Sequence, residues 1–157
     1  MSKHIKNGNK SVFSALQAED AKEQAAALRP YIHSVQAAVR SMDYAHFGNT
    51  LVSLMEWSGV SEYELSERSH ISTKTIQRLR NTAECTSEKR TLVALCIGMQ
   101  LPPVISRYFL QVAGIILGCT SDEDIAYDLI LSGYYRSGIA ACNALLTGAG
   151  LASLTNS

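Results

Sequence analysis

The stretch 61–81, SEYELSERSHISTKTIQRLRN, constrains the fold more than any other part of the chain. Ser61 followed three residues later by Glu64 is a capping box, in which each side chain satisfies the other residue's backbone N–H, so a helix starts there. Leu65 faces inward, and Ser66 is small enough to let the next helix pack closely. Ser69 and His70 make a turn. Ile71 is an apolar plug, and the Ser72 hydroxyl caps a second helix. Within that helix Ile76 and Leu79 are three apart and share one face. At about 100° per residue, Lys74, Gln77, Arg78 and Asn81 point most directly away from it, and Thr73 and Arg80 lie on its flanks.

Those outward residue types suit base edges and phosphates: Arg and Lys pair with guanine, Gln and Asn with adenine. Two short helices joined by a tight turn are also a way of presenting a helix to the major groove. Charge agrees locally. Residues 72–81 carry Lys74, Arg78 and Arg80 and no acid, a net +3, while 61–71 carry Glu62, Glu64 and Glu67 against Arg68, a net −2. The chain has 14 basic and 14 acidic residues, so there is no overall basic signature of nucleic-acid binding. The plainer reading of the same pattern is two solvated helices of alternating charge.

The segment resembles the helix-turn-helix of the XRE (phage Cro/repressor-like) family. The resemblance covers residues 45–113 in the order of that five-helix domain: 47–57, 61–68, 72–81, 87–100 and 102–113. It implies a transcriptional regulator that binds double-stranded DNA, with base contacts from Thr73, Lys74 and Arg78 and backbone contacts from Ser72 and Asn81. Two positions depart from the family pattern. His70 stands where Gly is usual, and Glu62 stands where a neutral or basic phosphate-contacting group is frequent. The run 94–103 and the stretch 128–146 also resemble helix-turn-helix modules attached to zinc peptidases of bacterial mobile elements. The peptidase's metal motif is absent here, so that activity does not carry over.

Hydrophobic residues make up 46% of the 157, enough for a core, and only 3 are Pro. Ala and Leu are abundant and no alternating pattern runs far, which favours helix over strand. The expected class is all-α: a five-helix repressor-like helix-turn-helix domain with additional N-terminal and C-terminal helices. No segment approaches the ~20 apolar residues that span a bilayer, and the start MSKHIKNGNK is polar and basic with no signal-peptide core. A cytoplasmic protein is expected. Cys85, Cys96, Cys119 and Cys142 are widely spaced, with no Cys-x-x-Cys pair, and His4, His33, His46 and His70 show no ligand spacing. No phosphate loop, dinucleotide fingerprint, zinc-protease motif or nucleophile elbow is present. The expectation is therefore no enzyme, no catalytic residues, no cofactor and no metal.

Around the 45–113 domain lie three further pieces. Residues 1–10, with Lys3, Lys6 and Lys10 and no acid, read as a flexible basic arm. Residues 11–44 read as two helices, one near 14–28 and a second opened by Pro30. In that second helix Ile32, Val35, Val39 and Met42 form a narrow apolar seam, which packs on its own domain or on a partner. Residues 114–157 read as a C-terminal helical extension. Ser121 with Asp124 marks one helix start, with Ile125, Leu129 and Ile130 inward and Gly133 at its end. Ser137 caps another, with Ile139, Leu145 and Leu146 inward. Asp122, Glu123, Asp124 and Asp128 against Arg136 make this piece −3, so it should face away from DNA. Tyr127, Tyr134 and Tyr135 supply either an interface or core packing.

The expected function is sequence-specific duplex-DNA binding by a dimeric transcriptional regulator of bacterial or mobile-element origin. DNA would be read by Ser72, Thr73, Lys74, Gln77, Arg78, Arg80 and Asn81, and a homodimer would form through 30–42 or the helices after 114. The alternative is a protein-interaction or regulatory adaptor on the same scaffold, gripping another protein of a mobile-element regulatory system.

Overall fold

The capping signals of the sequence become helix starts. In the computed structural model, which describes residues 21–156, eight helices and no strand occur among the described residues. They are α1 (Ala21–Arg40), α2 (Phe47–Ser58), α3 (Glu62–Ser69), α4 (Thr73–Arg80), α5 (Lys89–Met99), α6 (Pro103–Val112), α7 (Asp122–Gly133) and α8 (Ile139–Gly148). Five of them fall within 45–113, as expected. The basic arm 1–10 and the first part of the helix expected near 14–28 lie outside the described residues.

At α3 both halves of the capping box form: the Glu64 N–H donates to Ser61 Oγ and the Ser61 N–H to Glu64 Oε1. Ser72 caps α4 by accepting the Thr75 N–H at 3.1 Å, and Ser121 caps α7 by accepting the Asp124 N–H at 3.3 Å. One start is different. Gly138, not Ser137, precedes α8, and no side chain caps it. One N-cap comes from a residue the sequence reading passed over: His46 Nδ1 accepts the Asn49 N–H at the head of α2.

The N-terminal region departs from expectation. α1 runs unbroken through Pro30, which lies well inside it and does not open a new helix. Proline removes one N–H from the helical ladder and frees the carbonyl four residues back, here that of Ala26, which is exposed and open to water. The flanking Ala, Gln and Glu residues favour helix strongly enough to carry it across. α1 packs on α2 and α6. Its seam turns so that Ala38 and Met42 are buried while Ile32, Val35 and Val39 are half-buried, and Trp57 Nε1 donates to the Ser34 carbonyl at 3.1 Å.

α5 is the central rod. Every residue from Leu92 to Met99 is buried. α3 lies against it, and α7 and α8 pack on it as well. An all-apolar helix is the sequence signature of burial on all sides. Cys96 is entirely buried there, and loss of hydration pushes its thiol up to about 12. The close approach of α3 depends on Gly98. A Cβ at that position would lie 2.9 Å from Leu65 Cδ1 and 2.9 Å from Ser69 Cβ. Ser69, fully buried, lies at this contact with Leu65. Ser69 Oγ also donates to the Leu65 carbonyl and accepts the Ile71 N–H, so it stitches the turn between α3 and α4. His70 there takes the left-handed conformation, φ 59° and ψ 22°, as the glycine-like position demanded.

α7 and α8 bury part of the faces expected: Ile130, Ile139 and Leu146 are inward as expected, whereas Ile125, Leu129 and Leu145 are not. In α7 the inner residues are Asp124, Tyr127, Ile130 and Leu131, while Ile125 and Leu129 are about half exposed, at 51% and 53%. In α8 Ile139, Cys142, Asn143 and Leu146 are buried and Leu145 is not. Asp124, in the first turn of α7, pairs with Lys89 at 2.6 Å and accepts the Gly118 N–H at 2.8 Å, contacts that go with its side of the helix facing the core. The tyrosines separate: Tyr127 is in the core, Tyr135 packs at its edge and Tyr134 is exposed.

The Asp124 contacts bear on pH. The Lys89 ammonium, and after it the Gly118 N–H, hold the carboxyl below the usual carboxylate range. A carboxyl whose folded pKa is depressed contributes stability that is present above the unfolded value and lost as pH falls through the folded one. Thermal unfolding should therefore show a melting temperature that drops on acidification below about pH 4. In Asp124→Asn the part of that drop due to this group should be missing.

Candidate nucleic-acid interface

α4 is anchored by two residues. Ile76 and Leu79 are entirely buried and share one core with Leu51, Leu54 and Leu65 of α2 and α3. The opposite face is open: Thr73, Lys74, Gln77, Arg78 and Asn81 are exposed, and so is the cap residue Ser72. Arg80, on the flank, is half-buried. The bounds of α4 are held from outside the helix. The Phe47 and Gly48 N–H groups at the head of α2 donate to the Ala83 and Thr82 carbonyls, at 2.9 and 2.8 Å. This docks the end of α4 against α2.

The seven candidate residues fall into three groups. Ser72 and Asn81 serve the helix ends: Ser72 Oγ holds Thr75, and Asn81 Nδ2 donates to the Gln77 carbonyl at 2.8 Å. Thr73, Lys74 and Arg78 carry no side-chain hydrogen bond or ion pair among the described residues, which leaves two adjacent cations free on one turn of helix. Gln77 and Arg80 are engaged. Gln77 Nε2 donates to Glu62 Oε1 at 3.2 Å, and Arg80 Nη1 pairs with Glu62 Oε2. These two contacts, Gln77 first, hold the Glu62 carboxyl below its usual range. Arg80 Nε is buried without a partner among the described residues.

A cleft of about 530 Å³ opens beside the head of α4. His70, Ser72, Thr75 and Arg78 line one side and Ser87, Glu88, Arg90 and Thr91 another, and Leu154 to Asn156 close the third. Arg90 is tied within it to Glu88 at 2.6 Å. The end of the chain is brought there by Asn143, buried in α8. Its Oδ1 accepts the Leu154 N–H at 2.8 Å and its Nδ2 donates to Thr155 Oγ1 at 3.0 Å. The body of the C-terminal extension packs on α5 and α6, and its last described residues reach the side of α4.

No group of three or more His, Cys, Asp or Glu residues able to hold a metal occurs among the described residues. No helix among them is long and apolar enough to cross a membrane. No family model, curated protein or solved structure matches the chain.

Sequence reasoning missed two residues that shape this surface. Glu62 stood out only as a departure from a family pattern; its partners lie 15 and 18 positions away, beyond any local periodicity. Asn143 did leave a signal, as an amide among the apolar residues of Ile139–Gly148, where a buried polar side chain must find partners.

Proposed function

We propose that this chain is a cytoplasmic transcriptional regulator of the XRE helix-turn-helix type that binds double-stranded DNA through α4. The observation that carries the reading is the pair Lys74 and Arg78. They are exposed cations, without an ion pair among the described residues, on the outer face of a short helix whose inner residues Ile76 and Leu79 are wholly buried. A helix anchored by Ile76 and Leu79 presents these side chains without disturbing the core, and Thr73 beside them adds a short hydroxyl able to meet a base edge or phosphate. One such helix covers few base pairs, so the protein acts as a homodimer with its two α4 helices about 34 Å apart.

The test is fluorescence anisotropy on a genome-selected DNA site and a scrambled one, at two salt concentrations. Lys74→Ala and Arg78→Ala should leave the melting temperature nearly unchanged. Each should cost about 1–3 kcal/mol of specific binding and relax the preference at one base position. Light scattering of the complex should report two protomers per site. If the double variant binds the selected site as well as the parent does, α4 is not the reader.

A second reading, a protein-interaction adaptor on the same scaffold, draws support from the apolar side chains left exposed on the C-terminal extension. Ile116 is 80% exposed, and Ile125 and Leu129 are both more than half exposed. Salt separates the two readings. DNA binding weakens steeply as counterions are added, whereas an apolar contact does not.

A further inference from the structure

Among the described residues, Glu62 is the acidic side chain that pairs with the proposed reading helix. It stands in the first turn of α3, where a negative charge is favoured by the helix dipole. Both of its oxygens face α4, one accepting from Gln77 Nε2 and the other paired with Arg80 Nη1. A carboxylate holding a guanidinium and an amide occupies those donors as a phosphate oxygen would. Side chains of the two partners are only partly exposed, 35% for Arg80 and 25% for Glu62, so water screens the pair incompletely. Arg80 Nε is buried and unbonded among the described residues, so the guanidinium is held with one donor unsatisfied. That is a costly arrangement for a group whose donors all favour an acceptor.

We infer that Glu62 is a built-in competitor of DNA, an intramolecular carboxylate that holds Arg80 and Gln77 off the duplex. The inference rests on the reading of α4 as a DNA-binding helix. In the free protein the positive face of α4 is divided. Lys74 and Arg78 are available to a first encounter, while Arg80 and Gln77 are latched to α3. A duplex gains these two donors only by displacing the Glu62 carboxylate, which also stands as a like charge near the phosphates. Sites whose backbone reaches the α3–α4 edge displace it and others do not. Glu62 is thus a specificity-determining residue that suppresses non-specific binding.

The experiment compares parent, Glu62→Gln, Arg80→Ala and the double variant, with Glu67→Gln as control. Glu67 is an exposed acid of the same α3, so its change removes the same charge without touching α4. A fluorescein-labelled duplex of mixed sequence is the probe, titrated at several salt concentrations. Glu62→Gln should bind it about tenfold more tightly than the parent, with the salt slope steeper by about one phosphate contact. Adding Arg80→Ala to Glu62→Gln should abolish the gain. Glu67→Gln should change affinity by about twofold or less. An equal gain from Glu67→Gln, or a gain that survives Arg80→Ala, overturns the inference and assigns the effect to overall charge. Melting temperatures provide a readout without DNA. The shifts of Glu62→Gln and Arg80→Ala should be non-additive in the double variant, because each removes the same contact. Additive shifts overturn the latch whatever the DNA result. Non-additive shifts with no duplex binding by any variant leave the contact standing and overturn the DNA reading, and the competitor role with it.

Discussion

Leu65→Ala is expected to lower the unfolding free energy by about 2–5 kcal/mol, the range for truncating a well-packed leucine. Leu65 is wholly buried at the meeting of α3, α4 and α5. Its Cδ1 lies where any side chain at Gly98 would have to go, so the space around it is already at its limit. The helices leave little room to collapse inward and fill a hole there, because α3 and α5 already approach closely at Ser69 and Gly98. Chemical denaturation measures the loss. A change below about 1 kcal/mol would mean that Leu65 is not enclosed as described.

Gly48→Ala should be as damaging for the opposite reason, an atom added where none fits. A Cβ on Gly48 would lie 2.2 Å from the Arg80 carbonyl oxygen and 2.6 Å from its carbon. Both are backbone atoms, so no rotamer change relieves the clash. α2 would have to part from the end of α4, breaking the Phe47–Ala83 and Gly48–Thr82 hydrogen bonds. The expected cost is about 3 kcal/mol, at the upper end for overpacking. The orientation of α4 would shift with it, so duplex binding should fall along with the melting temperature. Gly133→Ala is the contrast: nothing lies within 4 Å of a Cβ there, and the change should be neutral or stabilise by up to about 1 kcal/mol. If Gly48→Ala and Gly133→Ala melt alike, the close approach of α2 to α4 is wrong.

The fit between sequence and structure varies along the chain for physical reasons. Between 45 and 113 the helix starts are set by Ser61 with Glu64 and by Ser72, and the turn by Ser69 and His70. These are interactions among residues three or four apart, so they are legible locally. The same is true of Ser121 and of Gly133 at the end of α7. The errors cluster where the choice of face was at stake. Ile125, Leu129 and Leu145 are apolar and fit a helical stripe, yet they face outward. An apolar stripe one or two residues wide leaves the rotation of a helix undecided until a polar residue such as Asp124 finds its partner across the fold. Pro30 misled for a related reason. Its effect on a helix depends on whether the unpaired carbonyl faces solvent, which only the packing of α1 sets.

Local sequence is enough to set the all-helical class, the caps and turn that bound α3 and α4, and the burial of Ile76 and Leu79 that turns Lys74 and Arg78 outward. All of these follow from short-range hydrogen bonding and from a period of 3.6 residues. Only the tertiary structure decided that Arg80 and Gln77 are held by Glu62 and that Lys89 neutralises Asp124. It alone decided that Asn143 carries Leu154 to Asn156 round to the side of α4. Each of these joins residues from different helices, or a helix to the chain's end. Such charge and hydrogen-bond pairings are specified by distances in space, on which a linear pattern places no constraint.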